Sequence, residues 1–117
     1  MKTTVQFIEG LNETISNVSL RKRKSSGNKI VVLSFINLRA LEFGRSYINK
    51  IDNLWLVDEE GNIRVEPSDI RIIFLNDEDE NSRTECSFEV YSDDVWERVM
   101  RFLQRYAEEN GFEFQTT

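Results

Sequence analysis

The chain contains no histidine, which removes the commonest general base near neutral pH and the commonest transition-metal ligand. Its single cysteine, Cys86, leaves no partner for a zinc site, and the usual nucleophile–base couples cannot be assembled. No GxxxxGK or GxGxxG run exists among the five glycines to cradle a phosphate. What remains is carboxylate chemistry. Glu59 and Glu60 are adjacent, but neighbouring acids in a hairpin turn are ordinarily exposed and unshifted, which suits neither a general acid nor a base. Asp77, Asp79 and Asn81 match the first three ligand positions of a calcium loop. The loop glycine would then fall at Ser82 and the bidentate glutamate at Phe88, so a solvated hairpin tip is expected there and no metal. The expectation is a binding module without catalytic residues, metal or cofactor.

Arg21, Lys22, Arg23 and Lys24, with Lys29 beyond the next turn, form the one basic cluster. Three readings fit it: contacts to nucleic-acid phosphates, attraction to anionic lipid headgroups or an acidic loop of a membrane protein, and a solubilising strand end. Against nucleic acid stand a net charge of −6 and the absence of aromatic residues interleaved with the cluster. Residues 1–57 carry nine Lys or Arg against four Asp or Glu, whereas residues 58–117 carry six against seventeen. Such separation could orient the domain on a charged partner, unless a mixed sheet interleaves the halves.

The elements that must position these residues read mostly as strands. Alternation covers Thr3 to Ile8, Ile15 to Leu20, Lys29 to Ile36, Ile51 to Val57, Asn62 to Glu66, Ile70 to Leu75 and Thr84 to Tyr91. Ser25-Ser26-Gly27-Asn28, Asp58 to Asn62 and Asn76 to Ser82 supply hairpin turns, Gly61 taking a positive φ in the second. Pro67 falls between two strands, and Leu38 to Phe43 predicts one short helical turn ended by Gly44. Cys86 reads as a buried strand residue. Ser92 is the expected N-cap of a C-terminal helix, with Asp93 and Asp94 suiting its dipole and Gly111 its end. Trp96, Val99, Met100, Leu103, Tyr106 and Ala107 line one stripe of that helix, and Glu97 and Arg101 stand at i, i+4. The whole predicts one α+β domain over residues 1–117, a predominantly antiparallel sheet system built from consecutive hairpins with an amphipathic helix packed on it. Met1-Lys2 leads into polar residues, so no secretory signal is expected, and no apolar run approaches the ~18 residues of a membrane span.

The stretch from Trp96 to Phe114, where a Trp-led helix runs into Arg105-Tyr106-Ala107-Glu108-Glu109-Asn110-Gly111 and an aromatic tail, resembles the C-terminal signature of the photosystem II reaction-centre W (Psb-twenty-eight) family. Leu56-Val57-Asp58-Glu59-Glu60-Gly61-Asn62-Ile63 resembles the strand, acidic turn and return strand of that family. Val5-Gln6-Phe7, Gly10 and the basic strand around Leu20 and Arg21 fall where its opening strands lie. The acidic run Asn76 to Asn81 stands where main-branch members carry a Gly-Arg-Pro type turn, and residues 30–50 match poorly. This combination implies a divergent second cyanobacterial copy.

The resemblance implies a non-catalytic photosystem II assembly factor. Such a factor binds transiently to the cytoplasmic side of thylakoid assembly intermediates (stromal in plastids), near the CP-forty-seven antenna subunit and neighbouring reaction-centre subunits. It would be peripheral to the membrane, held by protein contacts and not by nucleic acid. The alternative class is a nucleic-acid- or ribosome-associated domain using residues 21–24. The residues expected to bind a partner are Arg21, Lys22, Arg23 and Lys24, together with Trp55, Asn62, Ile63, Arg64 and Val65 of the second hairpin. Ile51, Asn53, Trp55 and Val57 alternate on one face, which predicts Trp55 turned toward the core, with the acidic turn Asp58 to Glu60 at the rim.

Overall fold

The computed structural model describes residues 3–43, 50–74 and 82–111. Within them run β1 (Thr4–Ile8), β2 (Leu11–Glu13), β3 (Ile15–Lys22), β4 (Lys29–Ile36), a 3-10 turn (Arg39–Phe43), β5 (Leu54–Asp58), β6 (Gly61–Val65), β7 (Asp69–Phe74), β8 (Ser82–Val90) and helix α1 (Asp93–Asn110). Every strand pairing is antiparallel, and the fold is α+β as its patterning predicts. The strands divide into two four-stranded sheets, ordered β2-β1-β5-β6 and β3-β4-β8-β7. Consecutive hairpins supply β1-β2, β3-β4, β5-β6 and β7-β8. The β1-β5 and β4-β8 pairs join residues far apart in sequence, and alternation alone does not indicate them. Gly44 and the run 76–81, with its calcium-like spacing, lie outside the described residues.

Strand β2 escapes a reading by period because it has three residues, one of them a buried acid. Glu13 accepts the amides of Arg39 (2.8 Å) and Ala40 (2.9 Å), so its carboxylate closes the start of the 3-10 turn. Burial raises the Glu13 pKa, against the lowering effect of those two amides.

The inward faces meet in one core. Val5 and Phe7 of β1 and Leu54 and Leu56 of β5 face Val31, Leu33 and Phe35 of β4 and Cys86 and Phe88 of β8. Phe7 and Phe35 touch edge to face across the two sheets at a centroid distance of 5.4 Å. Cys86 is buried as expected, and burial pushes its thiol up to about 12, which leaves it without thiolate character.

Helix α1 begins where Ser92 accepts the Val95 amide through its hydroxyl (3.2 Å) and ends where Gly111 takes φ +70. It lies against β5 of one sheet and β8 of the other. Val99, Leu103, Tyr106 and Ala107 are buried as the stripe predicts; Trp96 and Met100 sit half-buried at its margin, and Phe102, absent from the predicted stripe, is fully buried. The Tyr106 hydroxyl accepts the Ile15 amide (2.9 Å), fixing the start of β3 to the helix. Arg101 of the expected Glu97–Arg101 pair gives its hydrogen bonds to Glu60 across the fold, while Glu97 acts on it through charge alone. Removing Phe102 or Leu103 by alanine substitution should cost about 3 to 5 kcal/mol, while Trp96→Ala, deleting a half-exposed ring, should cost clearly less. Denaturant unfolding checks the order: a Trp96 variant as unstable as the Phe102 variant would contradict the burial described.

Candidate functional site

The turn between β5 and β6 is where the first sheet and the helix are tied. Asp58, expected at the rim, is fully buried, since Leu54, Leu56 and Asp58 share the inward face of β5. Its Oδ1 accepts the Glu60 amide (2.9 Å), shaping the turn, and also Nη2 of Arg98 (2.6 Å). Its Oδ2 accepts Nη1 of Arg98 (2.8 Å) and Nη1 of Arg105 (2.9 Å). Arg98, Arg101 and Arg105 recur at steps of three and four, so they line one helix face beside the apolar stripe. Arg101 grips Glu60 with two bonds (2.9 and 3.0 Å), Arg105 adds a further bond to Glu60, and its Nε lies 3.3 Å from exposed Glu59.

Burial alone would raise the Asp58 pKa, but hydrogen bonds from Arg98 and Arg105 and the Glu60 amide outweigh it and hold the carboxyl below its ordinary value. Hydrogen bonds from Arg101 and Arg105 hold Glu60 down to about 2. The Asp58 and Glu60 carboxylates are thus engaged by guanidinium groups. The signal for this was present in the sequence as an arginine row facing an acidic turn; the i, i+4 Glu97–Arg101 reading masked it.

Trp55 is placed opposite to its predicted face. Two alternating sets compete in this strand, Ile51, Asn53, Trp55 and Val57 against Leu54, Leu56 and Asp58, and the core takes the second. Trp55 is half-buried on the outer face, between Gln6 of β1 and Arg64 of β6. A groove of about 310 Å³ lined by Gln6, Glu9, Trp55, Val57 and Asn62 opens on one flank of the ring, and a second, with Phe7 and Ile51, on the other.

Strand β6 pairs with β5 alone among the described residues, so it is a sheet edge. A two-residue turn joins Asp58 to its partner Gly61 and the register continues unbroken to Leu54 opposite Val65. Antiparallel alternation then directs the amides of Asn62 and Arg64 away from β5. Ile63 and Val65 face the core, while Asn62 and Arg64 present exposed side chains next to Trp55 and Val57. The structure therefore brings together Trp55, Asn62, Ile63, Arg64 and Val65.

The basic cluster is elsewhere, at the β3–β4 turn of the other sheet. Arg21, Lys22 and Lys24 are exposed, whereas Arg23 is held by Glu89 (2.8 Å). Aromatic residues that are distant in sequence accompany it after all: Lys29 stands 5.0 Å above the Trp96 ring, and the Tyr91 hydroxyl donates to Glu89 (3.3 Å). In each sheet the early strands (β2-β1, β3-β4) lie together and the later ones (β5-β6, β8-β7) lie beside them, so the two halves of the chain abut and do not alternate strand by strand.

Asp58→Asn should leave two guanidinium groups against a neutral amide and cost about 3 kcal/mol, a figure reduced for the partial exposure of both arginines. Glu60, with a folded pKa of about 2 below its ordinary 4.5, contributes stability that is complete above pH 4.5 and lost as pH falls through about 2. The difference in unfolding free energy between the native chain and Glu60→Gln should shrink over that window; a difference constant with pH would refute the assignment.

The family model described as "Psb28 protein" matches residues 5–114, from β1 to beyond the helix cap. A "Photosystem II reaction center Psb28 protein" of Guillardia theta is 32% identical over 111 residues, covering 94% of this chain and 92% of that one. The protein of the same name from Phaeodactylum tricornutum is 32% identical over 115 residues, covering 97% and 96%. The "Photosystem II reaction center PSB28 protein, chloroplastic" of Arabidopsis thaliana is 30% identical over 97% of this chain and 60% of its own length. A match that spans both sheets, the arginine-clasped turn and the capped helix covers the architecture and not a fragment of it, and the chain belongs to the Psb28 family.

Proposed function

We propose that the protein is a non-catalytic assembly factor of photosystem II. It docks transiently on the cytoplasmic side of thylakoid assembly intermediates, beside the CP-forty-seven antenna subunit and neighbouring reaction-centre subunits. The observation that carries this reading is the β6 edge, with two outward amides beside a half-buried tryptophan. The names of the relatives associate those proteins with the photosystem II reaction center, which supports photosystem II as the complex. An extended tail of a membrane subunit adds to such an edge as a further strand. Main-chain hydrogen bonds provide affinity, and the side chains around Trp55 read alternate residues of the tail. No described helix is long and apolar enough to cross a membrane, and attachment in this reading runs through protein contacts.

The edge is blunted against random pairing. It is short, and Arg64 and Glu66 place exposed charges along it, 3.4 Å apart. A tail must therefore offer compatible charges as well as a free backbone, which makes binding selective and reversible.

The CP-forty-seven tail peptide should protect the amides of Asn62 and Arg64 from hydrogen exchange, and Arg64→Pro should abolish that protection while shifting the melting temperature little, since the lost amide points outward. Protection confined to β3 or β7 would move the site to another edge. Failure to recover photosystem II subunits from solubilised membranes with the native chain would overturn the function itself.

A further inference from the structure

The end of the molecule that carries the β3–β4 turn has a composition that the strand-addition site does not use. Arg21, Lys22 and Lys24 project there without an ion pair among the described residues, while Arg23 is neutralised by Glu89. Of the large hydrophobic side chains that remain exposed among the described residues, two of three, Tyr91 (75% exposed) and Val95 (45%), sit at the start of α1. The turn and the helix start are contiguous. They share a groove of about 260 Å³ lined by Gly27, Asn28, Lys29, Tyr91, Trp96 and the acidic Asp93, and the Arg23–Glu89–Tyr91 contacts bridge them. Free cations next to an exposed tyrosine and valine are the pairing that suits a headgroup region, where charge meets lipid phosphate and an amphipathic ring sits at the boundary.

We infer that this end is a docking surface for an anionic lipid bilayer, holding the domain weakly against the membrane while the β6 edge meets its protein partner. Charge and shape decide against nucleic acid. Three free cations on one turn do not track a phosphate backbone, and the Trp96 face that would stack a base is occupied by the Lys29 ammonium. The domain carries a net charge of −6, so attraction is confined to this end and orients the molecule as it binds. Each cation near an anionic surface contributes about fivefold in partitioning, so the three together supply about a hundredfold, enough for reversible contact and not for anchoring.

Co-sedimentation of the full chain with vesicles tests this directly. The protein should bind mixed phosphatidylglycerol and phosphatidylcholine vesicles, ignore pure phosphatidylcholine, and release as salt shortens the screening length. The triple variant Arg21→Gln, Lys22→Gln, Lys24→Gln should lose about a hundredfold. Tyr91→Ser should weaken binding with the charge untouched, and Arg71→Gln with Arg83→Gln, exposed on the same sheet away from this turn, should change it little. All of these side chains are exposed, so unchanged melting curves are expected throughout. Equal binding to both vesicle types would overturn the inference, as would a triple variant that binds like the native chain or a matching loss from the Arg71 and Arg83 pair. So would a single-stranded RNA oligomer that outcompetes vesicles at equal phosphate concentration.

Discussion

Asp58 can be buried as an anion because Arg98 and Arg105 reach it from a helix about forty residues away in sequence, and the seating of that helix on the first sheet follows from the encounter. The carboxylate ends β5, shapes the turn into β6 and receives the helix, so one side chain sets the position of three elements. Sliding α1 by one turn would carry the arginines past Asp58 and leave charges buried without partners, at a cost well above that of a misplaced leucine. The same helix, once seated, brings the Tyr106 hydroxyl to the Ile15 amide and so ties the second sheet to the first. Apolar packing supplies the bulk of the stability, and the ionic clasp selects which packing is used.

That division of labour explains the chemistry of the acidic turn. Glu60 and Asp58 lie together with depressed pKa values, a pattern that in a cleft would suggest catalysis. Their partners are guanidinium groups from an element that they hold in place, and the groups arrayed around them are structural. The titratable groups raised by burial, Glu13, Cys86 and Tyr106, are likewise engaged in the core: Glu13 with two amides, Tyr106 with one, and Cys86 among apolar neighbours.

With the interior committed in this way, the sheet edges and ends are the surfaces the fold leaves open. The clasp fixes β5 with Leu54 and Leu56 inward, which obliges Trp55 to face outward over the β6 edge. At the other sheet, the β3–β4 turn meets the start of α1 and gathers cations and aromatic rings from separate parts of the chain. In the proposed docking mode, backbone pairing at one place and diffuse charge at another would serve different demands, selectivity for a peptide and orientation in a field.

The α+β class, the strand runs, the capping of the helix by Ser92 and Gly111 and the blocks shared with the family were all legible in the sequence, because each depends on local period, local dihedral preference or contiguous residues. Most strand limits agree to within a residue or two, although β5 starts later than Ile51 and β2 is too short to show a period. Tertiary structure decided which face of β5 is inside, since both alternating sets carry apolar residues and periodicity records what shares a face but not which face is buried. It decided that Phe102 is core, that Arg101 gives its hydrogen bonds to Glu60 rather than Glu97, and that Trp96 and Tyr91 accompany the basic turn. Each of these depends on what an element meets across the fold, and the strength of a charge pair or a contact is set by distance and burial in space, which spacing along the chain does not encode.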